Sequence, residues 1–109
     1  MSELQSVSDA TFSTEVLQAK GPVMVEFGAA WCKPCHMLDP IVAELAVEWR
    51  GRVKVAKIDI DENTDSVVRF GVMSVPTLML FVGGEARERL SGFVPKKKIV
   101  EAFGPHLGG

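Results

Sequence analysis

The sequence predicts one α/β domain built on a mixed β-sheet, and three observations carry that expectation. Residues 22–27 are a nearly continuous apolar run rich in β-branched side chains, as in a strand covered on both faces, and residues 53–60 read as a second strand. Between them, residues 34–50 carry apolar side chains at helical spacing, so the three segments form a βαβ unit with a right-handed crossover. Two later strand-like runs meet at Gly83-Gly84, a pair that accepts the positive φ of a tight hairpin, so antiparallel strands join the parallel ones. With 109 residues and 47% hydrophobic content, the chain can fill one core and not two.

In chain order, residues 4–7 form a short strand candidate, and Ser8-Asp9 supplies an N-cap for a helix that turns Phe12, Val16 and Leu17 inward. Gly21-Pro22 ends it. The strand at 22–27 is apolar except for Glu26. After the turn Gly28-Ala29-Ala30, the strongest helix buries Leu38, Ile41, Val42, Leu45, Ala46 and Trp49. Pro40 cannot donate to the carbonyl of His36, so the first turn is expected to kink away from the rest. Gly51 closes this helix, and Lys57 interrupts the next strand much as Glu26 interrupts the earlier one. Residues 61–70 read as an acidic-started helix closed by Gly71, and 72–75 lead into Pro76. The hairpin follows, over 77–82 and 88–91. Gly92 ends it, and Pro95 opens a last helix with Ile99, Val100 and Phe103 facing inward.

Composition excludes several classes of function. The net charge is −2, and the basic run Lys96-Lys97-Lys98 reads as a solvated helix face, so no nucleic-acid partner is expected. Residues 1–12 lack a charged segment followed by an apolar one, and no stretch approaches membrane-spanning length. A cytoplasmic protein with no membrane partner is the simplest expectation. No Gly-rich dinucleotide fingerprint occurs, so no nucleotide should bind.

The only two cysteines, Cys32 and Cys35, stand three apart at a strand-to-helix junction. On a helix such residues share a face with Cβ atoms about 5 to 6 Å apart, close to what a disulfide requires. A sulfur at a helix N-terminus also meets unpaired N–H groups and the positive end of the macrodipole, which favour thiolate. Lowering a thiol pKa by about 1.5 units from ~8.5 raises its thiolate fraction at pH 7 from ~3% to ~50%, at a smaller loss of intrinsic nucleophilicity. Redox chemistry is therefore the leading reading. Half of a zinc site is an alternative, but structural zinc needs a second ligand pair, and only His36 and His106 remain, one too near and one in the C-terminal tail. Two inert core cysteines are the other alternative, although Trp31 and Pro34 beside them are not core composition.

Trp31-Cys32-Lys33-Pro34-Cys35, preceded by the buried strand with its acid and followed by Val75-Pro76-Thr77, closely resembles the thioredoxin family across essentially the whole chain. A lowered thiol pKa is familiar in thioredoxins, so the argument above agrees with a known case and predicts no new one. The resemblance implies a thioredoxin fold, a central five-stranded mixed sheet flanked by four helices, with Pro76 cis and packed against the cysteine pair. It implies a protein-disulfide reductase with Cys32 attacking and Cys35 resolving, and no cofactor beyond this cysteine pair. Electrons would come from NADPH through a partner, a flavin-dependent thioredoxin reductase, and the chain would act as a monomer on proteins with reducible disulfides. Trp31, Lys33, Pro34, Val75, Pro76, Gly92 and Phe93 would border the docking surface, with the backbone of Val75 open to an extended substrate segment.

The sequence departs from the family at three positions. Glu26 stands where most thioredoxins carry aspartate, and burial would raise its pKa, poising it as the base that takes the Cys35 proton through a water. Alternatively it pairs with Lys57, which would lower the pKa. Lys33 replaces the usual glycine and should favour the Cys32 thiolate, making the pair somewhat more oxidising. Gly28 replaces an aromatic residue found in many members, which leaves the packing of the rim near Asp61 open; His36 reads as a solvated surface histidine. Two rival functions stand beside reduction: oxidant or isomerase work favoured by Lys33, and a redox-independent binding module. A reduction potential separates the first, and serine at both cysteines the second.

Overall fold

The computed structural model describes residues 4–107. The period-two alternation of the central strands sends their side chains to two opposite faces, and each face finds helices to cover it. The strands are β1 (Gln5–Ser6), β2 (Val23–Gly28), β3 (Lys54–Asp59), β4 (Thr77–Val82) and β5 (Glu85–Ser91), arranged β1-β3-β2-β4-β5 in one sheet. β3 runs parallel to both β1 and β2, while β4 lies antiparallel to β2 and β5. The expected mixed five-stranded sheet is therefore what forms.

On one face Met24, Val55, Leu78 and Leu80 pack against α1 (Lys33–Glu48) and α3 (Lys96–Phe103), which contribute Leu38, Val42, Leu45, Ile99 and Phe103. On the other, Val23, Val25, Phe27, Ile58, Met79 and Phe81 pack against Phe12, Val16 and Val72. Glu26 falls by the same alternation on the α1 face, in register with Lys57 on β3 and Leu78 on β4. Any residue at that position is trapped between the sheet and α1.

Among the described residues three α-helices flank the sheet, with a 3-10 turn (Gly104–His106) following the last of them and one further helical segment before the first, which is not an ordinary α-helix. Over Ser13–Leu17 the chain makes one wide turn, in which the Gln18 N–H donates to the carbonyl of Ser13. Ser8 does start this segment, with its carbonyl accepting from Thr11 and Phe12. Asp9 does not cap it. Its carboxylate instead accepts from the backbone N–H groups of Asp65 and Ser66, capping α2 (Thr64–Arg69) from across the fold. That helix begins three residues later than its acidic start suggested, because Asn63 turns inward to donate to the Asp59 carbonyl and Asp61 is engaged elsewhere.

α1 spans Lys33–Glu48 with Pro40 inside it. Other expectations need correction. Val100 points outward and is 40% exposed, since only Ile99 and Phe103 fit the narrow contact α3 makes with the sheet. The hairpin's second strand begins at Glu85, so Gly83-Gly84 alone make the turn. Lys96 is no free surface cation; it bridges Glu44 and Glu48 and ties the start of α3 to the end of α1.

Candidate active site

The cysteine pair sits where β2 gives way to α1, and the local backbone explains the placement. Cys32 has extended φ and ψ and is the N-cap residue of α1; the Pro34 ring sits in the first turn, where its missing N–H costs nothing. Cys32 and Cys35 are disulfide-bonded, with Cα atoms 5.3 Å apart. The Cys35 N–H donates to Cys32 Sγ at 3.2 Å, so a backbone donor at the helix N-terminus is aimed at the outer sulfur.

Both cysteines are buried, Cys32 at 3% exposure and Cys35 at 1%. They differ in surroundings. Ala29, Ile60 and Val75 pack against the pair. Behind Cys35 lies Gly28, at which a first side-chain carbon would stand 3.4 Å from Cys35 Sγ and 3.7 Å from Glu26 Oε2. The buried carboxyl and the inner sulfur thus face each other across the space that Gly28 leaves. An aromatic residue here would fill that space. Instead a cavity of about 620 Å³ opens, with Gly28, Ala30, His36, Lys57 and Asp59 among its walls.

Glu26 is fully buried, and neither carboxyl oxygen has a hydrogen-bond partner among the described residues. Loss of hydration raises its pKa to about 8, the Asp39 carboxylate nearby adds to the rise, and Lys57 opposes it. Pairing with Lys57 is not what forms. The Lys57 ammonium turns to Asp39 at 3.1 Å. His36 is at the surface, as expected, but its ring is held there: Nε2–H donates to the Ala30 carbonyl at 2.6 Å, and Nδ1 lies 3.5 Å from Asp39.

The proposed docking residues divide. Trp31 is 67% exposed, Phe93 is 43% exposed, and Lys33 and Pro34 also lie at the surface. The Val75-Pro76 bond is cis, as the resemblance implied, but the Pro76 ring is buried and supports the surface from beneath. Its carbonyl accepts from the Gly92 N–H at 2.7 Å, which pins the end of β5 under this loop; Gly92 has φ +81°, a conformation that favours glycine. Val75 is half-buried, and among the described residues its backbone makes no hydrogen bond within the chain.

Three neighbours were given no role by the sequence reading. Asp61 accepts the Trp31 indole N–H at 2.8 Å and holds the ring over the site. Met73 is 94% exposed and, with Trp31, Ile60, Val72, Ser74 and Val75, borders a hollow of about 350 Å³. Asp39 was legible in principle, since it follows Cys35 by four and so shares its helix face. Asp61 had been placed only at the rim and nothing local pointed to Met73, because only the packing of distant loops brings them to Trp31.

Comparison with known proteins agrees with this geometry. The family model described as Thioredoxin matches residues 3–104. The chain is similar to "Thioredoxin 1" of Nostoc sp., at 42% identity over 98% of this chain and all of the relative. It is 43% identical to "Thioredoxin" of Pseudomonas aeruginosa over 91% of this chain and 93% of that one. A chloroplastic M-type thioredoxin of Brassica napus is 42% identical over 93% of this chain, which spans 57% of that longer relative.

Proposed function

The chain belongs to the thioredoxin family, and on that premise we propose that Cys32 is the attacking and Cys35 the resolving sulfur in the reduction of protein disulfides. Dithiol-disulfide exchange through this pair is the chain's activity, and it needs no cofactor. The observation that carries the assignment of roles is the asymmetry of the pair: Cys32 receives a helix N-terminal N–H, whereas Cys35 faces Glu26 across Gly28.

In the reduced protein the Cys32 thiolate attacks one sulfur of a substrate disulfide and the other leaves as a thiolate that takes up a proton. Cys35 then loses its proton to Glu26, attacks Cys32 Sγ, and expels the second substrate sulfur. That sulfur also takes up a proton from solvent, so the substrate gains two electrons and two protons while the Cys32–Cys35 disulfide is regenerated. A carboxyl whose pKa burial raises to about 8 accepts a thiol proton far more readily than an ordinary carboxylate does. At pH 7 the oxidised protein holds Glu26 protonated, ready to supply the proton that Cys35 needs when a reductant reopens the disulfide.

Substrate would dock over Trp31, Lys33, Pro34, Val75 and Phe93, with Pro76 and Gly92 holding the loop from below. An extended segment would pair with the free backbone of Val75. Lys57 acts at one remove from the sulfurs, through Asp39. Re-reduction would come from NADPH through a thioredoxin reductase. We assign residues 1–109 to one domain acting as a monomer in the cytoplasm; no helix among the described residues is long and apolar enough to cross a membrane.

The test is a trapping experiment with a protein disulfide. Cys35→Ser should accumulate a mixed disulfide through Cys32, and Cys32→Ser should not. Equal trapping by both variants would overturn the roles.

A further inference from the structure

Glu26 is in register with a lysine and yet is not paired with it, and the reason lies on α1. Lys57 stands opposite Glu26 across β2 and β3, on the same face of the sheet. Its ammonium lies 3.1 Å from Asp39 Oδ1, while Asp39 Oδ2 lies 3.5 Å from His36 Nδ1. The His36 ring is anchored on its other side by the Ala30 carbonyl. Asp39 is therefore held between a cation from β3 and an imidazole one turn earlier on its own helix, and both carboxyl oxygens of Glu26 are left without partners.

We infer that Asp39 is a positioning residue for Glu26: it draws the Lys57 ammonium off the buried carboxyl and tethers it to the His36 edge of the helix. This rests on the reading of Glu26 as the proton-transfer group and explains how a glutamate can serve there. A lysine opposite a buried carboxylate would ordinarily form an ion pair and keep it ionised, which would leave a weak base for a thiol. Asp39 removes that pairing and adds its own negative field. Asp39, His36 and the disulfide-bonded Cys35 come from α1, Lys57 and Asp59 from β3, Glu62 from the loop before α2, and Glu26 from β2; Lys57 is the one lysine or arginine among them.

The experiment follows the Glu26 carboxyl by carbon-detected NMR titration in the full-length oxidised protein, where neither cysteine titrates. Asp39→Asn, nearly isosteric and half-exposed, should free Lys57 to pair with Glu26 and lower its midpoint by about one pH unit or more. Asp39→Glu should restore it. Lys57→Met should raise the midpoint strongly in the Asp39→Asn background and only weakly in the native one. An Asp39→Asn midpoint that stays put or rises overturns the inference, as does an equal effect of Lys57→Met in both backgrounds. The base role is read separately, from the rate of mixed-disulfide resolution in Glu26→Gln. An unchanged rate there would remove the base role and leave the titration result standing.

Discussion

Replacing Glu26 by leucine should make the protein more stable, and increasingly so as pH rises. The unfolded chain releases the Glu26 proton near pH 4.5, whereas the folded chain keeps it to about pH 8. Between those values the unfolded state binds fewer protons, so the native protein loses stability as pH increases, by about 1.4 kcal/mol per pH unit. The loss reaches about 3 kcal/mol at pH 7 and levels off near 5 kcal/mol above pH 8, an upper limit because local relaxation relieves part of it. Leucine has nearly the same length, adds no polar atom, and meets Met24 and Leu78 in the same core. Urea unfolding of the oxidised wild type and Glu26→Leu, followed by tryptophan fluorescence from about pH 5.5 to pH 9, reads the effect, since titrations of groups distant from Glu26 cancel in the difference. That difference should widen by about 3 kcal/mol between about pH 5.5 and pH 8 and then flatten. Parallel curves across this window would refute the account of a carboxyl isolated by burial.

Other perturbations have equally definite outcomes. Asp61→Ala removes the acceptor that holds the Trp31 indole, so KM for a protein disulfide should rise about five-fold, the equivalent of one hydrogen bond of ~1 kcal/mol, with kcat changed less; steady-state kinetics reads this directly. Gly83→Ala and Gly84→Ala both force alanine into positive φ, at roughly 1–2 kcal/mol each. Gly84→Ala should cost clearly more in thermal unfolding, because its Cβ would lie 2.9 Å from the Leu17 carbonyl oxygen, whereas Gly83 faces open space. Gly28→Ala should leave stability nearly unchanged, its Cβ making ordinary contact with Cys35 Sγ. It should also slow mixed-disulfide resolution several-fold in stopped flow by narrowing the gap to Glu26.

The fold was largely legible because its signals are local. Apolar runs, one amphipathic helix and a Gly-Gly turn are each complete within a few residues, and together they leave little choice of sheet. The cysteine pair was legible for the same reason, since three-residue spacing at a helix start is a local fact. The misreadings came from groups with more than one possible partner. Asp9 looked like the cap of its own helix and caps α2. Val100 obeyed helical spacing, yet α3 touches the sheet along too narrow a line to cover it.

Sequence by itself determined the redox pair, the sheet, and the burial of an acid beneath the sulfurs. Tertiary structure alone decided which charge Lys57 answers. β2 and β3 place Lys57 beside Glu26, but α1 packs Asp39 over the same spot, and the ammonium goes to the carboxylate that remains in contact with water. An ion pair at a half-exposed site desolvates less charge than one in the core. The choice between two acids is settled by burial, which no spacing in the chain encodes.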